Sequence, residues 1–575
     1  MRNVLGTRHG LSAFRTLTIV AQDPSVRTAD GKVLLAKVSI PAEQLLPGPA
    51  GYRVSVVDYD ATRNALYTPL DLGPGLEEPS DAIAAVRSDR ALMSDPRYHA
   101  QNVYAIVMRI LARFELALGR RVPWGCAGHQ LYISPHAFCE PNAFYSREDC
   151  SLFFGYFTSS QPSGETVYSC LAHDVVAHET THALLDGLRR GFLDRSSLDQ
   201  AAFHEGFSDI VALLSVLSLT EIVSTVLDGR PEDPLIRADL LTKEKLKEST
   251  LFGLANQMGE ELSGVRGQAL RRSVELPPGK RYADKKEFQE EHRRGELLVA
   301  AVLNSFLEIW LRRLEKIGTI SAGKKDRGLV VEEGARAADH LLTIVIRAID
   351  YCPPVDLSFS DFLSALLTID REVVPDDRYG YREALLKSFR DYGVEPAPDA
   401  DTDGTWKRWE REMIYSRTHF ESMLRDEEEM FRFIWENRTN LDLSEHGHIE
   451  VRSVRPSMRI APDGFILRET VAEYVHSVTA SAEELRDDFG IAVPEGLPLW
   501  RNIKLAGGGT LIFDEYGQLK YKVAKGLVES EADKTRQGAK LKQLFELGFF
   551  DGPVGDLPLL AQLHSRIGQL RRLKS

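Results

Sequence analysis

Two apolar segments, DVVAHETTHALLDGL at 174–188 and AAFHEGFSDIVALL at 201–214, carry polar residues that make sense only if the segments lie against each other. On an α-helix His178 and His182 project from one face, a turn apart, and can reach a single ion. Glu179 stands between them, placed to touch a water on that ion without ligating it. This H-E-x-x-H spacing suits two imidazole ligands for zinc and a glutamate general base. The flanking Val175, Val176, Ala177, Ala183, Leu184 and Leu185 predict a buried helix, whose polar face needs partners to offset its desolvation. A catalytic zinc takes three protein ligands and leaves the fourth position to water. Glu205, 23 positions after His182, is the natural third ligand. Asp209 follows one turn later on the same face, where a carboxylate fixes the tautomer and orientation of a ligating histidine, here His178.

With these residues the chain resembles the thermolysin-like gluzincin metallopeptidases, and further segments follow in that family's order. Asn142, Ala143 and Phe144, followed by Tyr145, are similar to its Asn-Ala-Phe-aromatic segment, which implies a substrate-binding edge strand. The segment EEHRRGELLVAAVLNSFL at 290–307 is similar to its His-x-x-x-Gly segment, which implies that His292 stabilises an oxyanion; here Gly295 follows by three residues instead of four. ALRRS at 269–273 is similar to a Leu-Arg-Ser segment and makes Arg271 the residue backing that histidine. DFLSALLTID and YREALLKSFRDYGV are similar to the closing helices. The resemblance spans residues 55–395. It implies an α+β, two-lobe fold, one Zn2+ per chain, and hydrolysis of peptide or protein substrates.

The chain also departs from the family. Val216 stands where acidic calcium ligands are expected, and Asp174 alone does not make such a site, so no structural Ca2+ is expected. GLRRGFLDRSS, after the first helix, has Phe192 and no tyrosine, which removes one oxyanion donor. His204 replaces an asparagine before Glu205 and is expected to hydrogen-bond His182. These departures leave an alternative: a noncatalytic, zinc-stabilised peptidase fold acting as an interaction or regulatory module.

The other regions set the organisation. Residues 17–58 alternate in short apolar runs and predict strands; the three-to-four spacing in 99–118 predicts a helix. QLYIS, NAFY and LFFGYF predict strands leading to the zinc helix. Cys126, His129, His136 and Cys139 form a competing quartet for a structural zinc. Domains are expected at 1–58 (strand-rich), 59–190 (sheet lobe), 191–395 (helical lobe) and 406–575 (a further α+β domain), with a Pro/Asp/Gly-rich linker at 396–405. WKRWEREMIYSRTHFESMLRDEEEMFRFIWE, from 406, predicts one or two charged helices, and 511–523 a β-hairpin turning at 515–517. The terminal AQLHSRIGQLRRLKS predicts a basic amphipathic helix. Gly507, Gly508 and Gly509 lack a phosphate-loop lysine, so no nucleotide site is read.

A net charge of -13 argues against nucleic acid or anionic membranes as partners. No apolar run reaches membrane-spanning length. With no secretory signal read and five cysteines, an odd and small number for the length, the expectation is a cytoplasmic chain. Its C-terminal domain would bind a regulatory partner or gate the cleft.

Overall fold

The helix expected over 99–118 begins slightly earlier, because Asp95 and Pro96 define its start. The Asp95 carboxylate accepts from the Arg97 amide, and proline occupies the first turn, where its missing N–H costs nothing. Gly119 ends it in the left-handed conformation. This computed structural model describes residues 13–550 apart from 26, 29–30, 74–88, 160–164, 194–196, 228–232, 249–271, 322, 461–465, 547 and 549. Arg271 and the terminal basic segment lie outside the described residues. The chain is α+β.

β1 (Phe14–Val20) and β2 (Leu35–Pro41) form an antiparallel ribbon. β3 (Val54–Val56) follows, then a small hairpin of β4 (Tyr59–Asp60) and β5 (Ala65–Leu66). After α1 (Asp89–Met93) and α2 (Pro96–Leu118) come β6 (Leu131–Phe138), β7 (Ala143–Ser146), β8 (Ser151–Thr158) and β9 (Thr166–Tyr168). The main sheet runs β3-β6-β8-β7, with β9 also on β8. Val54 and Val56 are buried in this sheet, so β3 shares a layer with the strands that follow it. Within β6, Pro135 has no amide to give, and the register against β8 shifts between Ser134 and Phe138.

The helical part comprises α3 (His173–Leu188), α4 (Leu198–Leu217), α5 (Thr220–Val226) and α6 (Lys243–Glu248), then α7 (Glu291–Glu315), α8 (Arg327–Ala348), α9 (Phe359–Val373) and α10 (Tyr381–Asp391). A short ladder of β10 (Leu235–Arg237) and β11 (Lys324–Asp326) lies among them. One continuous apolar core joins α2, α3, α4, α7, α8 and α9. None of the described helices is long and apolar enough to cross a membrane.

Residues 396–405, expected as a linker, are instead packed against the helices. Ala397 and Thr405 are buried, the Ala397 amide donates to Ser364 Oγ, and Asp401 and Thr405 close a turn on themselves. Side-chain and local backbone acceptors satisfy this segment without any apolar period for sequence reading to detect. Residues 407–417, expected as helix, are irregular, and the reason is Asn437: its side chain accepts from the Ile414 amide and donates to the Ile414 carbonyl. Helix appears only as α11 (Phe420–Met423) and α12 (Glu427–Glu436).

The C-terminal sheet is an antiparallel meander of β12 (His448–Ile460), β13 (Ile466–Ser481), β14 (Asn502–Phe513) and β15 (Leu519–Lys525), with the hairpin turn where the sequence places it. α13 (Ala482–Asp487) and α14 (Glu531–Glu546) complete it. Alternation on β14 sends Leu511 and Phe513 into a cluster with α12 and Ile512 into the main core. Both sheet faces are therefore covered. Gly508 belongs to a strand and lies where a Cβ would come 3.2 Å from the Pro354 ring, so the glycine run serves close packing.

Candidate metal centre

α3 and α4 pack side by side, and the polar residues singled out in the two segments meet there. His178, His182 and Glu205 are all buried, with their candidate ligand atoms within 4.8 Å of one another. Glu205 Oε2 lies 3.6 Å from His178 Nε2, and its Oε1 lies 3.8 Å from His182 Nε2. Tetrahedral ligands about 2.1 Å from a zinc ion stand roughly 3.4 Å apart, so this donor set fits zinc with little movement.

The opposite nitrogens are held from behind. His178 Nδ1 donates to Asp209 Oδ1 at 2.8 Å, which leaves Nε2 facing Glu205. His182 Nδ1 lies 2.7 Å from His204 Nδ1 and 3.2 Å from Ser208 Oγ, and the His182 and His204 rings stack at 13°. With Nδ1 of His182 as donor, His204 Nδ1 accepts, so His204 orients a candidate ligand and is not one of the converging set. Ser208 also donates to the His204 carbonyl, a contact with no sequence signal beyond its one-turn spacing from His204. Glu179, on α3 beside His178, is fully buried.

His292 joins from α7, its Nε2 3.6 Å from Glu205 Oε2 and its Nδ1 2.7 Å from Glu290 Oε1. Glu290 is also the helix cap, accepting from the Arg293 amide, a dual role the sequence reading missed. Burial opposes the imidazolium, but the charges of Glu205, Glu290 and Glu291 outweigh it and raise His292 to about 9. A dication on Glu205 would cancel part of that support.

Gly295, three residues after His292, sits at a helix crossing. α4 and α7 cross at Gly206 and Gly295: a Cβ on Gly295 would lie 2.9 Å from the Ala202 carbonyl, and one on Gly206 2.9 Å from the Gly295 carbonyl. A residue at i+3 shares a face with His292, so this spacing turns the histidine and the contact glycine toward α4 together. Gly295→Ala should push the helices apart, costing about 1–3 kcal/mol because both obstacles are backbone. Chemical denaturation checks this; unchanged stability would refute the close approach.

Asn142 precedes β7, which carries Ala143 and Phe144 and, among the described residues, pairs with β8 alone at a sheet edge. Ala143 is buried and Phe144 half-buried. Arg271 falls outside the described residues; its neighbour Arg272 pairs with Glu296 of α7 at 2.7 Å. Phe192 is fully buried against Phe203, so it offers no hydroxyl. Val216 is buried apolar surface, while burial and the nearby Asp23 push Asp174 up to about 7.

The competing cysteine-histidine quartet is not assembled. Cys126 forms a disulfide with Cys150, His129 stacks on Tyr52, and Cys139 is an exposed thiol. Two of the five expected thiols are thus paired, because folding brings the start of β8 beside the loop before β6. The pair weakens the inference to a reducing compartment, where such bonds are rare. No family model matches this chain, and no curated protein is significantly similar to it.

Proposed function

We propose that the chain is a zinc-dependent peptidase with a thermolysin-like, two-lobe arrangement. The observation that carries the reading is the convergence of His178, His182 and Glu205, with Asp209 and His204 behind the rings and Glu179 between the ligands. Zinc bound by these three residues supplies a water of lowered pKa, about 7, and a Lewis acid for the scissile carbonyl. Glu179 takes the proton from the attacking water and returns it to the leaving amine. His292, held by Glu290, donates to the developing oxyanion, and Asp209 and His204 keep the ligating nitrogens deprotonated. The open edge of β7 pairs with the backbone of an extended peptide, which gives affinity with little side-chain selectivity.

The noncatalytic alternative draws on Phe192, which cannot donate to an oxyanion. Chelation separates the two: removing metal should abolish cleavage of an unfolded protein substrate, and stoichiometric Zn2+ should restore it. Cleavage undiminished in metal-free protein would sink the zinc-dependent mechanism, and zinc-loaded protein without cleavage would favour the alternative.

A further inference from the structure

A second group of buried donors lies in the sheet region. His99 from α2, His136 from β6 and Cys170, from the short turn that leads into α3, bring their candidate ligand atoms within 4.8 Å of one another. All three are at most 1% exposed. The register break at Pro135 places His136 here: its amide donates to Asp58 Oδ1 at 3.0 Å instead of entering the ladder.

The hydrogen bonds determine where the ring protons sit. His99 Nε2 lies 2.9 Å from the Met93 carbonyl, which can only accept, so Nε2 carries the hydrogen. His136 Nδ1 lies 2.7 Å from Asp58 Oδ2 and donates to that carboxylate. With both rings neutral, each has one lone pair left, and the two nitrogens that bear them, His99 Nδ1 and His136 Nε2, face each other at 2.7 Å. Two lone pairs at that distance repel, so something positive belongs between them. A carboxylate behind one imidazole and a backbone carbonyl behind the other are the supports that ligating histidines use. Cys170, a free thiol at 0% exposure, supplies the third donor, and the rings of Tyr168 and Tyr67 pack around the pair at 4.6 to 4.9 Å.

We propose that His99, His136 and Cys170 form a second metal site, separate from the His178 cluster, for a borderline-soft divalent cation of the zinc class. Two imidazoles and a thiolate select such an ion over calcium or magnesium. The facing nitrogens must part by less than about 1 Å to reach tetrahedral spacing. The ion would join α2, β6 and the turn that feeds α3, so its role is to stabilise the support of the first site. The proposal does not depend on peptidase activity.

The test is loading the metal-stripped, full-length protein with Co2+. The His178 cluster contains no sulfur, so a near-ultraviolet thiolate-to-cobalt charge-transfer band together with a second equivalent of bound metal is the expected result. Cys170→Ser should remove the band and one equivalent while the first site still fills. Should that variant fail to fold, His99→Gln is read in the same way. No band and a single equivalent in the wild-type chain would overturn the proposal, leaving a shared proton between the rings. A band that survives in folded Cys170→Ser would also overturn it.

Discussion

Glu179→Gln is expected to lower peptide hydrolysis by about 10²–10⁴-fold, the range for losing a general acid–base group, while the chain keeps the metal on His178, His182 and Glu205. The side chain is fully buried on α3, and glutamine preserves its shape and its capacity to accept a hydrogen bond. What it loses is the ability to take a proton from water. Metal analysis and hydrolysis of an unfolded protein, measured on the same preparation, check the prediction. Activity within a few-fold of wild type would remove Glu179 from the chemistry. Loss of metal together with activity would mean that the residue helps to hold the ion.

Arg459→Met should destabilise the whole chain by about 3 kcal/mol, because it leaves buried carboxylates short of a cation. The Arg459 guanidinium lies 3.1 Å from Glu469 and 3.4 Å from Asp350, and its side chain is 3% exposed. Arg120 also grips Asp350 through two bonds of 2.6 and 2.7 Å, and Lys520 reaches Glu469 at 3.0 Å, which keeps the loss near the lower end of the range. Denaturant unfolding measures the effect; a change below about 1 kcal/mol would show that the network tolerates the loss of this member.

The same network sets an acid limit. Burial opposes ionisation of Asp350, but Arg120, Arg459 and Arg189 outweigh it and hold the carboxyl at about 2. The folded pKa is below the unfolded one, so the stabilisation is complete above about pH 4 and is lost as pH falls toward 2, amounting to roughly 2–3 kcal/mol. Stability that stayed flat from pH 5 to 2 would contradict this.

The described residues after 405 are tied to the helical part by ion pairs and shared core. Arg189, at the end of α3, pairs with Glu473 of β13 at 3.0 Å, Lys525 reaches Asp361, and Arg536 and Lys540 bind Asp356. Ile512, Tyr521 and Val523 belong to the main core, and the Trp406 indole donates to the Tyr351 carbonyl. Cutting the chain near residue 405 would therefore strand buried carboxylates and expose core, so loss of activity after such a cut would report unfolding and says nothing of a gate.

The local features of this protein are legible in its sequence. Two histidines a turn apart on an apolar helix, a glutamate followed one turn later by an aspartate, the α2 periodicity, and the β14–β15 hairpin all rest on spacings within a few residues, which helix and strand geometry converts directly into shared faces. Tertiary structure decided everything that joins distant segments. Nothing near His136 or Cys170 announces that a bulge at Pro135 and the turn before α3 will bring them to His99, and nothing near Cys126 points to Cys150. The packed path of 396–405 and the irregular path of 407–417 depend on Ser364 and Asn437, which lie tens of residues away. Gly206 and Gly295 likewise acquire meaning only where two helices cross, because the constraint is the nearness of another backbone and not the conformation of their own.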